Sequence, residues 1–344
     1  MKTIPWKRAV LAMFGVALLA AVAAAALPDN EYQRFASLEK TIQNRLRWIY
    51  ERTHHDPAPI DVVILGPSRA GAAISAPRLQ AALAAQGVAG QRGALGVVNF
   101  ALPENGRDLH WVVEQQLLAA RTPKLIIITV TEKPGRYGHP AYKYIAPARD
   151  VMDPGYVGNL NYLSNLIYLP YRQMRLFAAR AFPAAFDLPA GYDPARYAGT
   201  GYDSTVSFRT GDGILVERER IVPRAELEAG VVRYERGVTP PVLGPRFADQ
   251  EFGDERTYVR RMVADAQARG VRIAFLFLPY YTGPQVIQEA KFYAGFGPMF
   301  DAGFVSTHPE WFSDVAHLNH DGAIALTDWL APQLVPLLQK APAP

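Results

Sequence analysis

The sequence predicts an α/β protein, a three-layer sandwich on a mainly parallel sheet, with an N-terminal membrane helix or signal ahead of it. Three observations carry that prediction. Short β-branched runs at residues 62–65 and 125–130 alternate with stretches of helical period. The alternation resumes after about residue 253 and closes on a C-terminal helix. An uncharged apolar run from Ala9 to Leu27 precedes all of it. With 344 residues, 49% of them hydrophobic and 20% charged, the chain can bury a sizeable core, and residues 57–340 are read as one large domain.

Composition excludes several functions. The net charge of +4 comes without a Lys/Arg cluster on an amphipathic face, so nucleic acid is not an expected partner. The absence of cysteine excludes disulfides, thiol nucleophiles, thiolate metal sites and a lipoprotein attachment point.

In chain order, Lys2, Lys7 and Arg8 precede the run of about nineteen apolar residues, which spans roughly 28 Å as a helix. Residues 1–27 therefore read as a signal-anchor or a signal peptide. The Ala-rich end at Val22–Ala26 offers small-residue cleavage sites, and both the cleaved and the retained form stay open. In either form the basic flank stays inside, and the remainder lies on the periplasmic or extracytoplasmic face of the inner membrane.

Between residues 28 and 56, Phe35, Leu38, Ile42, Leu46 and Ile49 recur at helical spacing, predicting one amphipathic linker helix. The strand Val62–Leu65 ends at Gly66-Pro67-Ser68-Arg69. Ser75 and Pro77 suit the start of a helix that stops at Gly87. A short strand at Val97–Phe100, a helix near Asp108–Ala120 and the strand Leu125–Val130 follow. Residues 135–253 lose the pattern and read as a Tyr-, Pro- and Gly-rich insertion over the sheet's carboxyl edge, with a helix around Tyr171–Ala181. A helix near Glu255–Arg269, a strand at Val271–Leu278 and a helix near Pro284–Tyr293 restore the alternation. The last helix is expected from about Asp321 to Leu330, before Pro332 interrupts it.

Two motifs carry chemistry. Ser68 stands at the carboxyl end of the first strand, and Asp314-Val315-Ala316-His317-Leu318-Asn319 stands before the last helix. A serine hydroxyl needs a histidine to take its proton and a carboxylate to fix the histidine's tautomer, and parallel-sheet topology brings these ends together at the carboxyl edge. Arg69 is read either as a contact for an acidic sugar or phosphate, or as a structural ion-pair partner. Asn319 and Asp321 are read as caps for the last helix. The histidines show no metal-ligand spacing, Gly66–Gly71 matches neither a dinucleotide nor a phosphate fingerprint, and no cofactor is expected.

Together, Gly66-Pro67-Ser68-Arg69, Asp314-x-x-His317-Leu318-Asn319 and Gly322 resemble the SGNH (GDSL-like) hydrolase superfamily. They are most similar to its membrane-anchored branch, which includes the alginate O-acetylation proteins and the teichoic-acid D-alanylation accessory protein. The resemblance implies Ser68 as nucleophile, His317 as general base and Asp314 as its orienter. It also implies O-acylation, most simply O-acetylation, of a cell-surface polysaccharide, with a membrane-embedded acyltransferase as partner. The family's second-block glycine, an oxyanion-hole donor through its backbone N–H, falls at Ala101. Its third-block asparagine has no counterpart in Thr129-Val130-Thr131-Glu132, which leaves Thr131 as the substitute. The alternative is a non-catalytic scaffold of such a complex; a secreted lipase would favour a more apolar entrance.

Overall fold

The computed structural model describes residues 6–132, 135–237 and 242–339. It opens with the apolar helix α1 (Trp6–Ala25), whose mean hydropathy reaches 2.1 over its most apolar window and which is long enough to cross a membrane. Lys7 and Arg8 are exposed on its first turns, while Lys2 lies outside the described residues.

Residues 28–56 do not form the single linker helix that their periodicity predicts. They fold as α2 (Glu31–Ala36) and α3 (Arg45–His54), separated by turns. The hydroxyls of Ser37 and Thr41 donate to the carbonyls of Arg34 and Leu38, and such local bonds compete with helix propagation. The apolar stripe is real but faces inward: Phe35, Leu46 and Ile49 are fully buried, so this segment belongs to the domain's core.

β1 (Val62–Leu65) is wholly buried, as an all-apolar strand with both faces covered must be. The short helix α4 (Ser68–Ala73), which the sequence reading did not anticipate, starts on the serine itself. In α5 (Ala76–Ala85) the Ser75 side chain caps the first turn by accepting the Arg78 N–H, and Gly87 takes the positive φ (77°) that ends it. β2 (Val97–Asn99), α6 (Arg107–Ala120) and β3 (Leu125–Val130) follow within a residue or so of expectation.

The insertion is more ordered than its composition suggests. It holds α7 (Tyr142–Ile145), α8 (Ala148–Met152), α9 (Tyr162–Ala181), a small hairpin of β4 (Phe208–Arg209) with β5 (Leu215–Val216), α10 (Arg224–Gly237) and α11 (Ala248–Glu251). The predicted helix at 171–181 is the second half of α9, which continues through Pro170.

Next come α12 (Gly253–Gln267), β6 (Arg272–Phe277), α13 (Ala290–Ala294), an unpredicted strand β7 (Met299–Asp301) and α14 (His320–Gln339). The helix expected over 284–293 is reduced to the five residues of α13. The prolines at 332 and 336 do not end α14. Leu330, Ala331, Leu334 and Leu338 are buried beneath it, and that packing outweighs the lost backbone bonds.

The five strands run parallel in the order β2-β1-β3-β6-β7. Alternate residues serve opposite faces. Val63, Leu65, Ile126, Ile128, Ile273 and Phe275 join a core with α3, α6 and α12, while Val62, Ile64, Leu125, Ile127 and Leu276 join a second core with α4, α5 and α14. From β1 the chain crosses to β2 on one side, then returns to β3 on the other. That reversal opens a crevice at the carboxyl end of β1, the strand that delivers Ser68.

Candidate active site

Ser68 reaches the crevice through a tight approach. A Cβ on Gly66 would stand 1.9 Å from Thr129 Oγ1 on the adjacent β3, so only glycine lets the chain leave β1 at this point. Gly66 accepts the Leu102 N–H at 2.9 Å, which ties the exit of β1 to the loop after β2. Ser68 is then partly exposed at the first turn of α4.

The other half of the site is the loop between residues 312 and 319. Phe312 and Leu318 form an isolated antiparallel bridge, and the Ser313 N–H donates to the His317 carbonyl at 2.9 Å. The Tyr281 N–H, just beyond β6, donates to the Val315 carbonyl and fixes the loop to the sheet edge. Asn319 caps α14 as expected: its Oδ1 accepts the Gly322 N–H at 3.0 Å, and its Nδ2 donates to the Glu310 carbonyl at 2.7 Å. Gly322 is required by closeness, since a Cβ there would meet the Trp311 carbonyl at 2.5 Å.

These two halves bring together the three residues that the sequence singled out. His317 Nε2 lies 2.7 Å from Ser68 Oγ, and His317 Nδ1 lies 2.9 Å from both carboxylate oxygens of Asp314. Asp314 Oδ1 also accepts the backbone N–H groups of Ala316 and His317, at 2.8 and 3.0 Å. The Asp314 side chain is half exposed. Its partial desolvation would raise the pKa, but the hydrogen bond and charge of His317 and the two backbone donors outweigh it and hold the group at about 2. An ionised Asp314 fixes Nδ1 as the protonated nitrogen and leaves Nε2 free to take a proton from Ser68.

The other residues singled out by the sequence, Arg69, Ala101 and Thr131, follow β1, β2 and β3 respectively. Arg69 is not a free cation for substrate. It is buried against Glu132, with Nη1 2.6 Å and Nη2 3.2 Å from the carboxylate, and it donates further to the Leu278 carbonyl and the Tyr234 hydroxyl. The structural reading of Arg69 therefore holds. Ala101 lies in the expected loop, but its N–H donates to Asn99 Oδ1 at 3.0 Å and is already committed. Thr131 lines a small cavity, too narrow to hold a water molecule, with Pro67, Asn105, Arg107, Thr129 and others. That cavity adjoins the turn carrying Ser68, and the buried Thr129 Oγ1 in its wall has no hydrogen-bond partner.

Several supporting residues escaped the sequence reading. Asn99 ties α4 to β2 by donating to the carbonyls of Ala70 and Ile74, at 2.9 and 2.8 Å. Arg45, from the segment read as a linker, donates to the carbonyls of Ala101 and Asn99, at 2.9 and 2.6 Å. Only the polar residue at the end of an apolar strand hinted at Asn99; nothing local hinted at Arg45. The insertion contributes α10, whose Gly230 packs against Val315 and whose Tyr234 meets Arg69 and Glu132. The tyrosines of its first half do not gather at the triad. Tyr168 meets Tyr144 edge-on and Tyr171 at a tilt, beside Lys143, on α7 and α9. Among the described residues no three His, Asp or Glu side chains are grouped as a metal ion would need.

No protein-family model matches this chain, and no curated protein matches it.

Proposed function

We propose that this chain is an exported serine acyltransferase or esterase of the SGNH type, a three-layer α/β sandwich acting on the outer face of a membrane. One observation carries the reading: the relay from Asp314 through His317 to Ser68, at 2.9 and 2.7 Å. The location of Ser68 at the strand-order reversal gives further support, because ligands of open parallel sheets bind there.

In the first half-reaction His317 Nε2 takes the Ser68 proton while Oγ attacks the carbonyl carbon of an acyl ester. The new C–O bond to serine replaces the bond to the donor's oxygen, which leaves with the proton from His317. In the second half-reaction a hydroxyl group gives its proton to His317 and attacks the acyl-Ser68 ester, and the proton returns to Ser68 Oγ. A glycan hydroxyl makes the protein a transferase; water makes it an esterase. The Ser68 N–H, the first of α4, has no acceptor within the helix and is a donor for the oxyanion. This chemistry requires no cofactor.

Within this reading the acceptor is a cell-surface polysaccharide, the acyl group acetyl, and the donor a membrane-embedded acyltransferase. Those assignments rest on the resemblance of the two motifs and on an apolar α1 flanked by Lys7 and Arg8. A non-catalytic scaffold is the second reading, favoured by the commitment of the Ala101 N–H to Asn99. A fluorophosphonate probe, which reacts only with an activated serine, separates the two. Labelling of the wild-type chain that disappears in Ser68→Ala supports the enzyme, and an unlabelled wild-type chain supports the scaffold.

A further inference from the structure

Helix α9 is apolar on two faces. It buries Leu169, Leu176 and Ala179 beside Asn165, Arg172 and Gln173, yet it also turns Leu163, Ile167, Tyr171, Met174 and Phe177 to the exterior. The outward set recurs at spacings of three and four, so it forms one stripe along the helix. Leu163 is 64% exposed and Ile167 70%. Val157, Leu160 and Phe182 extend the apolar surface beyond both ends of the helix. Two of the inward polar side chains are tied to protein: Arg172 donates to the carbonyls of Lys143 and Ala146, and Gln173 Nε2 donates to the Leu27 carbonyl at 2.8 Å. Water therefore cannot be the intended neighbour of the outer face, since contiguous exposed apolar surface of this kind marks an interaction site.

The neighbouring element identifies the occupant. α1 packs directly against α9, and the Gln173–Leu27 bond pins the chain where it leaves α1. Apart from that end, α1 is itself exposed and apolar, with Phe14 and Leu19 about 70% open. The stripe on α9 is thus continuous with the surface of a helix suited to lipid. Its surroundings match the membrane–water boundary: Tyr144, Tyr168 and Tyr171 cluster there, Lys143 Nζ lies 5.3 and 5.5 Å from the first two rings, and Arg175 and Arg180 flank the stripe.

We propose that α9 is a second membrane contact, an interfacial helix whose Leu163–Phe177 stripe lies in the outer leaflet beside α1 and holds the catalytic domain against the bilayer. The proposal rests on the reading of α1 as a membrane anchor. A rim of Arg and Lys around apolar side chains also suits anionic headgroups.

The chain has no cysteine, so single probes are straightforward. Full-length Ile167→Cys and Met174→Cys, with Leu18→Cys in α1 and Arg92→Cys at an exposed position of the loop before β2, are spin-labelled in nanodiscs of phosphatidylcholine and phosphatidylglycerol. Collision with oxygen and with an aqueous nickel chelate then reports depth. Labels at 167 and 174 that favour oxygen and sit about 5–10 Å below the phosphates support the proposal. Labels that behave like the one at position 92, or that are shielded from both quenchers as within a protein–protein contact, overturn it. The label at 18 reports separately on α1, so failure of the anchor reading is distinguishable from failure of the α9 contact.

Discussion

His317 Nε2 stands 2.7 Å from Ser68 Oγ although 249 residues separate the two in sequence. One residue enters from the carboxyl end of β1 and the other from a loop braced on β6 and α14, so the contact depends on a correctly assembled sheet edge. Asp314 completes the relay from the same loop.

The role of Asp314 predicts a defined pH response. Replacing it with Asn keeps the shape but reverses the tautomer preference of His317, and kcat for an activated acyl ester falls by about 10²–10⁴ with KM little changed. The folded pKa of about 2 lies below the ordinary 3.8, so the ionised form's contribution to stability is present above about pH 4 and is lost as pH falls through about 2. Urea titrations of wild type and Asp314→Asn at several pH values check this. Their difference shrinks as pH falls from about 4 toward 2.

Arg69 and Glu132 form a buried ion pair, with side chains 8% and 6% exposed. Arg69→Met leaves Glu132 buried without its charge partner and costs about 3–5 kcal/mol. Removing both charges, as Arg69→Met with Glu132→Leu, restores most of that loss. Equilibrium denaturation of the two variants measures the difference, and equal destabilisation of both would show that the pair is not the cause.

Gly66 faces Thr129 Oγ1 so closely that Gly66→Ala forces the strand exit to move. The expected cost is about 1–3 kcal/mol, with a loss of acyl-transfer rate because Ser68 shifts with the turn. Adding Thr129→Ala removes the obstructing oxygen and recovers part of both.

Asp108 is fully buried, and burial pushes its carboxyl up to about 7; the neighbouring Asp254 is raised for the same reason and by Asp108 itself. Between about pH 4 and 7 the folded chain holds a proton that the unfolded chain has released. Stability therefore falls as pH rises through that window, by up to about 1.4 kcal/mol per pH unit for each proton. Asp108→Asn flattens the slope, and an unchanged slope would assign the effect to other groups.

The sequence made legible whatever depends on local rules. The all-apolar runs of β1 and β3, the Ser75 cap with its closing Gly87, and the Asn319 cap all follow from period, length and terminal chemistry. Ser68, His317 and Asp314 were legible because parallel-sheet topology alone brings their two segments to one edge. What stayed hidden depends on individual side-chain bonds or on distant packing partners. The break between α2 and α3 reflects competing hydroxyl bonds and burial, and α14 passes Pro332 because of the core beneath it. The commitment of the Ala101 N–H to the Asn99 side chain is a single hydrogen bond that no pattern announces. Arg69 could be settled only once its partner, 63 residues away, was known.

The central claim is that Ser68 is an activated nucleophile, and intact-mass measurement of the chain exposed to an activated acetyl ester tests it most directly. One acetyl group should appear on the wild-type chain, map by peptide sequencing to Ser68, and be absent from Ser68→Ala and strongly slowed in His317→Gln. A wild-type chain that stays unmodified at neutral pH, or one acetylated equally in Ser68→Ala, would contradict it.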